Sequence, residues 1–413
     1  MADKFKETGR VGLNRWGGRI DEEFLPELRG VEGVRVYTEM ANNDSTVGAI
    51  LYAIKMLCRQ ADWQVQPTSD DDADVEAAEF VESCLYDMQT SWPETVSEIL
   101  SFLVYGWSLH ELVYKRRTGH KKNPRLDSKF ADGLIGWQKL PIRAQESLYE
   151  WEFDDEDNLT AFVQMPAPSY NLIRIPAEKF LLFRTESRKD NPEGRSILRN
   201  AYRAWFYKKR VEEIEGIGIE RDLAGFPVLI APEGMEIWSD ANAGLLARCN
   251  DFVSNIRRDA MEGLTLPFGW ELKLLSTGGA RQFNTNEIVS RYNVSIAQTV
   301  LGDFLFLGHE ETGSWALSSD KTRLFAMATG AYLDSICETF NRFAIPRLID
   351  LNAAHFTRIT GYPELIHGDI ETADLSKLGE FMKTCMELGL ITPDENLEAY
   401  LRVQASLPEK VEA

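Results

Sequence analysis

The sequence predicts an α+β fold, and three patterns carry that reading. Apolar residues recur at three- and four-residue spacing in Val47, Ile50, Leu51, Ile54 and Leu57, and again in Val75, Ala78, Val81 and Leu85, which is the period of a helix face. Between residues 134 and 184 the pattern changes to short strand-like runs divided by turn residues. Long helical runs then follow, near 194–219, 239–261 and 318–343.

Each element has a local cause. The first 36 residues are rich in Gly and Arg (Gly9, Arg10, Gly17, Gly18, Arg19, Gly30, Gly33) and read as an extended arm, since termini fray unless something docks them. Asn43-Asp44-Ser45 supplies capping oxygens for the helix that starts at Val47. Trp63 to Pro67 alternates as a strand ended by proline. The acidic run Ser69 to Asp74 stands at the start of the next helix, where the helix dipole favours carboxylates without any metal. Trp92-Pro93-Glu94 opens a third helix through Leu103, and Tyr105 to Lys115 turns strand-like. Leu134–Leu140, Leu148–Phe153, Leu159–Met165 and Phe180–Arg184 read as the strands of a small, mostly antiparallel unit.

Asn191 to Ser196 begins a long helix to about Ile219 that is basic first (Arg195, Arg199, Arg203, Lys208, Lys209, Arg210) and acidic later (Glu212, Glu213, Glu215, Glu220). The helix dipole prefers the reverse order, so the split points to a partner surface with complementary halves. Leu223 to Glu233 reads as a strand-like link, Ser239-Asp240 as the start of a second helix, and Trp270 to Leu275 as a strand. Ser276 to Ala280 is a small-residue loop, Phe283 to Val300 a helix, and Leu301 to Ser314 a loop. The helix from Ser318 to Phe343 is expected to close before Pro346, and the tail to hold helices at Ala373–Leu388 and Pro393–Leu401.

Composition bounds the function. The chain has 413 residues and a formal charge of −20, from 45 Lys and Arg against 65 Asp and Glu. Hydrophobic residues at 44% exclude wholesale disorder, and the acidity argues against gripping nucleic acid by massed cations. The most apolar stretch, Ile99 to Leu109, is far short of a membrane span. Met1 to Thr8 has no apolar core of a secretory signal. Five dispersed cysteines (Cys58, Cys84, Cys249, Cys337, Cys385) read as reduced thiols of a cytosolic product.

Catalytic signatures fail in turn. No phosphate-cradling glycine loop with Lys is present, and Gly216 and Gly218 lie late in a helix. His110-Glu111 lacks a second His at helical spacing, as does His309-Glu310-Glu311, and residues 106–110 and 194–198 fall short of a nucleophile elbow. His110 and Glu111 point to opposite strand faces. The expectation is therefore no catalytic, cofactor-binding or metal-binding residue and no enzyme activity, with a carboxylate-dependent nuclease or hydrolase as the alternative. Tyr202, Trp205 and Phe206 share one helix face, which suits core or subunit packing more than base stacking.

Several stretches together resemble the portal proteins of tailed bacteriophages, in the branch of the Mu-like portals. They are Asn43 to Ile50 with Ala61 to Pro67, Leu103 to Tyr114, Asn191 to Ser196 with its helix, Leu301-Gly302 with Gly313 to Ala316, and Met386 to Thr392. The resemblance implies a portal fold with a mixed wing domain, helical stem, small clip and short helical C-terminal crown, assembled as a ring of usually twelve copies. It implies an N-terminal arm at 1–39, wing at 40–190, stem helices at 191–222 and 239–265, clip at 223–238, second wing part at 266–350 with a channel loop near 276–281, and crown at 351–413. The β unit at 134–184 is the alternative clip. The ring would sit at one capsid vertex of the virion, assembled in the bacterial host cytoplasm, with genomic DNA packaged and ejected through it. Its partners would be its own copies, double-stranded DNA without sequence preference, the terminase large subunit, a head–tail adaptor, and the major capsid and scaffolding proteins. No membrane and no cofactor is implied. A head–tail adaptor or another ring-forming virion protein is the alternative within this class.

Physics gives the channel residues and the interface residues their expected roles. A conduit must not hold its cargo, since each phosphate neutralised by a cation strengthens binding. Thr277, Gly278, Gly279 and the single cation Arg281 suit a loop facing DNA. A closed ring needs complementary head-to-tail patches, which Arg195, Arg199 and Arg203 against Glu212, Glu213 and Glu215 would supply.

Overall fold

The structure, a computed structural model, describes residues 9–224, 226–255, 265–275, 284–300, 302 and 315–368. In chain order, a small hairpin (β1, Arg15–Trp16; β2, Arg19–Ile20) precedes α1 (Gly30–Asn43), α2 (Ser45–Gln60), β3 (Trp63–Gln66) and α3 (Asp72–Tyr86). Next come α4 (Trp92–Ile99) and the short α5 (Phe102–Tyr105). The strand region holds β4 (Trp107–Glu111), β5 (Val113–Arg116), β6 (Ile135–Lys139) and β7 (Ile142–Arg143). It continues with β8 (Leu148–Phe153), β9 (Leu159–Gln164), β10 (Ile173–Pro176) and β11 (Phe180–Arg184). After these stand α6 (Tyr202–Ala224), β12 (Phe226–Ile230), α7 (Ala243–Asn255), β13 (Glu271–Leu275) and α8 (Thr285–Gln298). The described chain closes with α9 (Trp315–Thr339), a π turn (Phe340–Ala344), α10 (Ile345–Asp350) and β14 (Glu364–His367). The chain is thus mixed helix and antiparallel sheet, as the α+β reading expects.

Two compact units result, one formed by residues 1–200 with 297–413, the other by 201–296. The first has a large aromatic and aliphatic core. Trp92 lies edge-on to Trp63 at 5.2 Å and to Phe340 at 5.3 Å, and Trp137 meets Phe340 at 5.9 Å, the edge-to-face geometry that ring quadrupoles favour. A second cluster gathers Trp107, Leu109, Trp151, Phe162, Ile175 and Phe180 between the β11-β4-β7 and β10-β9-β8 sheets. Asp44 caps α2 by accepting the N–H groups of Thr46 and Val47 at 2.9 and 3.0 Å. Strand β14 returns to pair antiparallel with β3, and the Asn341 amide satisfies both the N–H and the carbonyl of Leu365 at 2.7 and 3.0 Å. In the second unit, which also holds α6 and α7, β12 and β13 form a two-stranded antiparallel ladder.

Several sequence expectations need correction. The arm at 1–39 is not extended throughout, because α1 occupies Gly30–Asn43 and buries Gly33, Tyr37 and Met40. Two glycines with low helix propensity disguised it, although the spacing of those three residues is helical. The helix expected from Ser196 begins at Tyr202 and extends to Ala224, after a 3-10 turn at Ile197–Arg199. Arg195 and Arg199 therefore lie outside the helix that was to carry them. Strand β13 and most of α8, which the resemblance places in the second wing part, lie in one compact unit with α6, β12 and α7, and β13 pairs with β12. Strand β14, within the 351–413 stretch that the resemblance places in the crown, pairs with β3 of the first unit. Pro346 does not close the late helix, which runs on to Asp350. The π turn just before it widens the ladder where proline lacks an N–H. The tail helices and the loop at 303–314 lie outside the described residues.

Candidate functional site

Two segments that each read as a motif in sequence, 103–114 and 191–196, meet in space through facing glycines. Gly106 ends α5 at φ +91°, donating its N–H to the Phe102 carbonyl at 2.7 Å, and Gly194 stands opposite at φ +56°. A Cβ on Gly106 would lie 2.6 Å from the Glu193 carbonyl oxygen, and one on Gly194 would lie 2.3 Å from the Gly106 carbonyl oxygen. Only glycine fits that approach and that backbone. Thr185 stitches the pair, donating its N–H to Gly106 O at 3.1 Å while its hydroxyl accepts the Arg195 N–H at 3.2 Å.

Next to this clasp, Trp151 stacks edge-on to Trp107 at 5.1 Å and donates its indole N–H to Glu193 Oε1 at 3.1 Å. Burial pushes the Glu193 carboxyl up to about 7, against the smaller lowering effect of that bond. The clasp borders a polar cleft of about 300 Å³ whose walls include Glu23, Arg29, Tyr37, Tyr105, Arg195 and Arg199. Arg199 grips Glu23 with two guanidinium nitrogens, one at 2.7 Å. Although burial opposes it, that grip holds the Glu23 carboxyl below its ordinary range.

The expected interface residues are largely engaged within the chain. Arg195 donates to Asn200 Oδ1 at 2.8 Å and Arg199 pairs with Glu23. Within the second unit, Glu212 lies 3.9 Å from Lys208, Glu213 lies 3.2 Å from Arg210, and Glu215 accepts from the Thr285 hydroxyl. The Arg203 guanidinium lies 6.0 Å from the Tyr207 ring. Thr277, Gly278, Gly279 and Arg281 lie outside the described residues.

His110 is buried, its Nδ1 lies 2.8 Å from the Leu140 carbonyl, and burial pushes it down to about 4. Its neighbour Glu111 turns to Arg143 instead, so the two do not form an acid–base pair. Among the described residues no group of three or more His, Cys, Asp or Glu is placed to hold a metal. No helix among them is long and apolar enough to cross a membrane.

The second unit shows what sequence reasoning missed. Its turn at 232–235 abuts the turn at 267–270, where Pro232 approaches Gly269. Around them Met235, Trp238 and Phe268 are exposed, Trp238 at 79% and Phe268 fully. On α6, Ile214 and Ile217 are exposed at 68% and 50%. Trp238 and Phe268, large apolar residues flanked by turn residues, were the available signal.

A family model described as the portal protein of Mu bacteriophage matches residues 34–403. Among solved structures, the chain is similar to one from the neck of an empty GTA particle computed with C6 symmetry, with TM-score 0.55 and 10% identity. It is also similar to one from the virion of a native gene transfer agent particle, with TM-score 0.54 and 12% identity. A third is from the neck of a native GTA particle computed with C12 symmetry, with TM-score 0.53 and 11% identity. Each likeness covers 91% of this chain and 94% of the other. At such identities they speak to the fold.

Proposed function

Because the chain belongs to the family of Mu bacteriophage portal proteins, we infer that it is the portal of a tailed phage, a ring at one capsid vertex through which the genome is packaged and ejected. We propose a ring of about twelve copies; one structurally similar chain comes from a neck computed with C12 symmetry. One head-to-tail contact, repeated from copy to copy, generates a ring when its rotation closes. The portal family is structural, and the reading assigns hydrolysis of ATP to a separate motor.

The observation that carries the reading is the second unit, which leaves Ile214, Ile217, Met235, Trp238 and Phe268 open on a single chain. Exposed apolar clusters of this kind mark interaction surfaces. In this reading α6 and α7 form the stem, the paired strands β12 and β13 with the turns at 232–235 and 267–270 form the clip, and the first unit forms the wing. The clip would dock the terminase large subunit and then a head–tail adaptor, and the wing would meet the major capsid and scaffolding proteins. Residues 277–281 would face double-stranded DNA, and residues 369–413 would hold the crown. Assembly would take place in the host cytoplasm. Negative-stain microscopy of the purified chain tests the reading: rings with an axial hole support it, and uniform monomers at micromolar concentration contradict it.

A further inference from the structure

One segment runs against the acidity of the whole. Residues 116–130 carry six Lys and Arg against a single Asp, in a chain with 45 against 65. The segment joins β5 to β6, which pair antiparallel. Both acidic groups beside its cations are already engaged by neighbouring groups of the chain. Asp127 accepts the Lys121 N–H at 2.7 Å and lies 3.3 Å from His120, and Asp132 pairs with the buried Arg117 at 2.7 Å. Among the described residues the exposed Lys121, Lys122 and Arg125 make no ion pair, so the outward face is cationic.

The loop is also held in place from below. Buried Asp87 accepts the Ser128 hydroxyl at 2.7 Å and the Lys129 N–H at 2.8 Å, and pairs with the buried Lys115 ammonium at 3.0 Å. Lys115 donates further to the Asp127 carbonyl at 2.6 Å, and Gln89 donates to the Pro124 carbonyl at 2.9 Å. Arg117 lies 4.0 Å from the Phe130 ring and donates to Ser83 at 2.7 Å. A loop ordered before binding loses little freedom on binding.

We propose that this loop is a phosphate-backbone contact for double-stranded DNA, separate from the expected channel loop. The exposed set of Lys121, Lys122, Arg125, Thr118 and Asn123 has the composition of phosphate contacts, which come from Lys, Arg, Thr and Asn. Protein interfaces instead deplete Lys from their centres, which disfavours an acidic protein partner. On a chain of −20, the loop is a stretch where exposed cations outnumber carboxylates, and its one carboxylate, Asp127, is held by the Lys121 N–H. The contact reads no sequence, since it touches backbone only.

The test uses the full chain and a fluorescent random duplex of about 30 base pairs, with anisotropy read between about 50 and 200 mM NaCl. K121E/K122E/R125E is compared with a scattered control of equal charge change, R59E/K179E/R358E, whose parent side chains are exposed. The loop variant is expected to bind at least about tenfold more weakly than the control at the lower salt, with its salt slope reduced by roughly 2.7, about 0.9 for each lost contact. K121A/K122A/R125A, checked by circular dichroism, is expected to reproduce the direction if the reversal perturbs folding. Equal affinity of loop variant and control overturns the proposal, as does a wild-type chain that binds no duplex. Unchanged DNA binding with lost self-association would overturn it in favour of a second copy as the partner. Ring formation is scored separately, so a failed ring reading is distinguishable from a failed loop.

Discussion

The two compact units differ in where their apolar side chains go. The first buries Trp63, Trp92, Trp107, Trp137 and Trp151 among one another and against phenylalanines. In the second, buried positions among the described residues are few (Ala201, Trp205, Lys208 and Ile296), while Trp238 and Phe268 stand open. A region with its own core can be stable alone, whereas one that exposes its large side chains gains from a neighbour. The contrast underlies our proposal that the second unit carries the assembly contacts while the first supplies its own core.

The largest expected effect lies in the glycine clasp. Gly194→Ala forces a Cβ to within 2.3 Å of a backbone oxygen at positive φ, and Gly106→Ala does the same at 2.6 Å. Each is expected to cost more than about 4 kcal/mol by chemical denaturation, since backbone cannot retreat as a side-chain tip can. Tolerance of either alanine would mean that the two segments are not locked. Trp137→Ala, in the same unit, is expected to cost about 3–5 kcal/mol. Trp238→Ser with Phe268→Ser should change the stability of unassembled chain by less than about 1 kcal/mol and instead lower the fraction assembled, seen by mass photometry. A loss of stability like that of Trp137→Ala would break the comparison.

Arg199 and Arg203 sharpen it further. Arg199→Glu places a second carboxylate beside Glu23 and should cost roughly 2–3 kcal/mol, recovered in part by Glu23→Arg. Arg203→Glu should leave the melting temperature unchanged and affect assembly alone. Equal effects from the two would erase the boundary between the units.

The smallest effect is a pH dependence. Glu193 is raised from its ordinary 4.5 to about 7, so the native state favours the protonated carboxyl. Its contribution is full below 4.5 and is lost as pH rises through about 7. His110, lowered from 6.5 to about 4, acts in the opposite sense: its contribution is full above 6.5 and is lost as pH falls through about 4. Glu193→Gln keeps the acceptor for Trp151 and should raise the melting temperature relative to wild type above pH 7 while leaving it unchanged near pH 4.5. A parallel shift at both pH values would show that Glu193 does not titrate in this range.

Much of this was legible in the sequence because its cause is local. Asp44 before a helical period and the alternation at 148–164 each act within a few residues. What was illegible depends on distant partners. Nothing local pairs β14 with β3, or sets Gly106 against Gly194, although both glycines sit in stretches that carried the family resemblance. The charge split at 195–220 was visible, yet Glu23, far away in sequence, takes Arg199 from it. The basic loop at 116–130 was overlooked because a net charge of −20 conceals a local reversal.

Mass measurement of the purified wild-type chain under native conditions tests the central claim most directly. The account predicts a dominant species near 560 kDa, about twelve times the 46.9 kDa chain, that the Trp238→Ser, Phe268→Ser variant fails to reach. A single species at 46.9 kDa for the wild type across micromolar concentrations would contradict it.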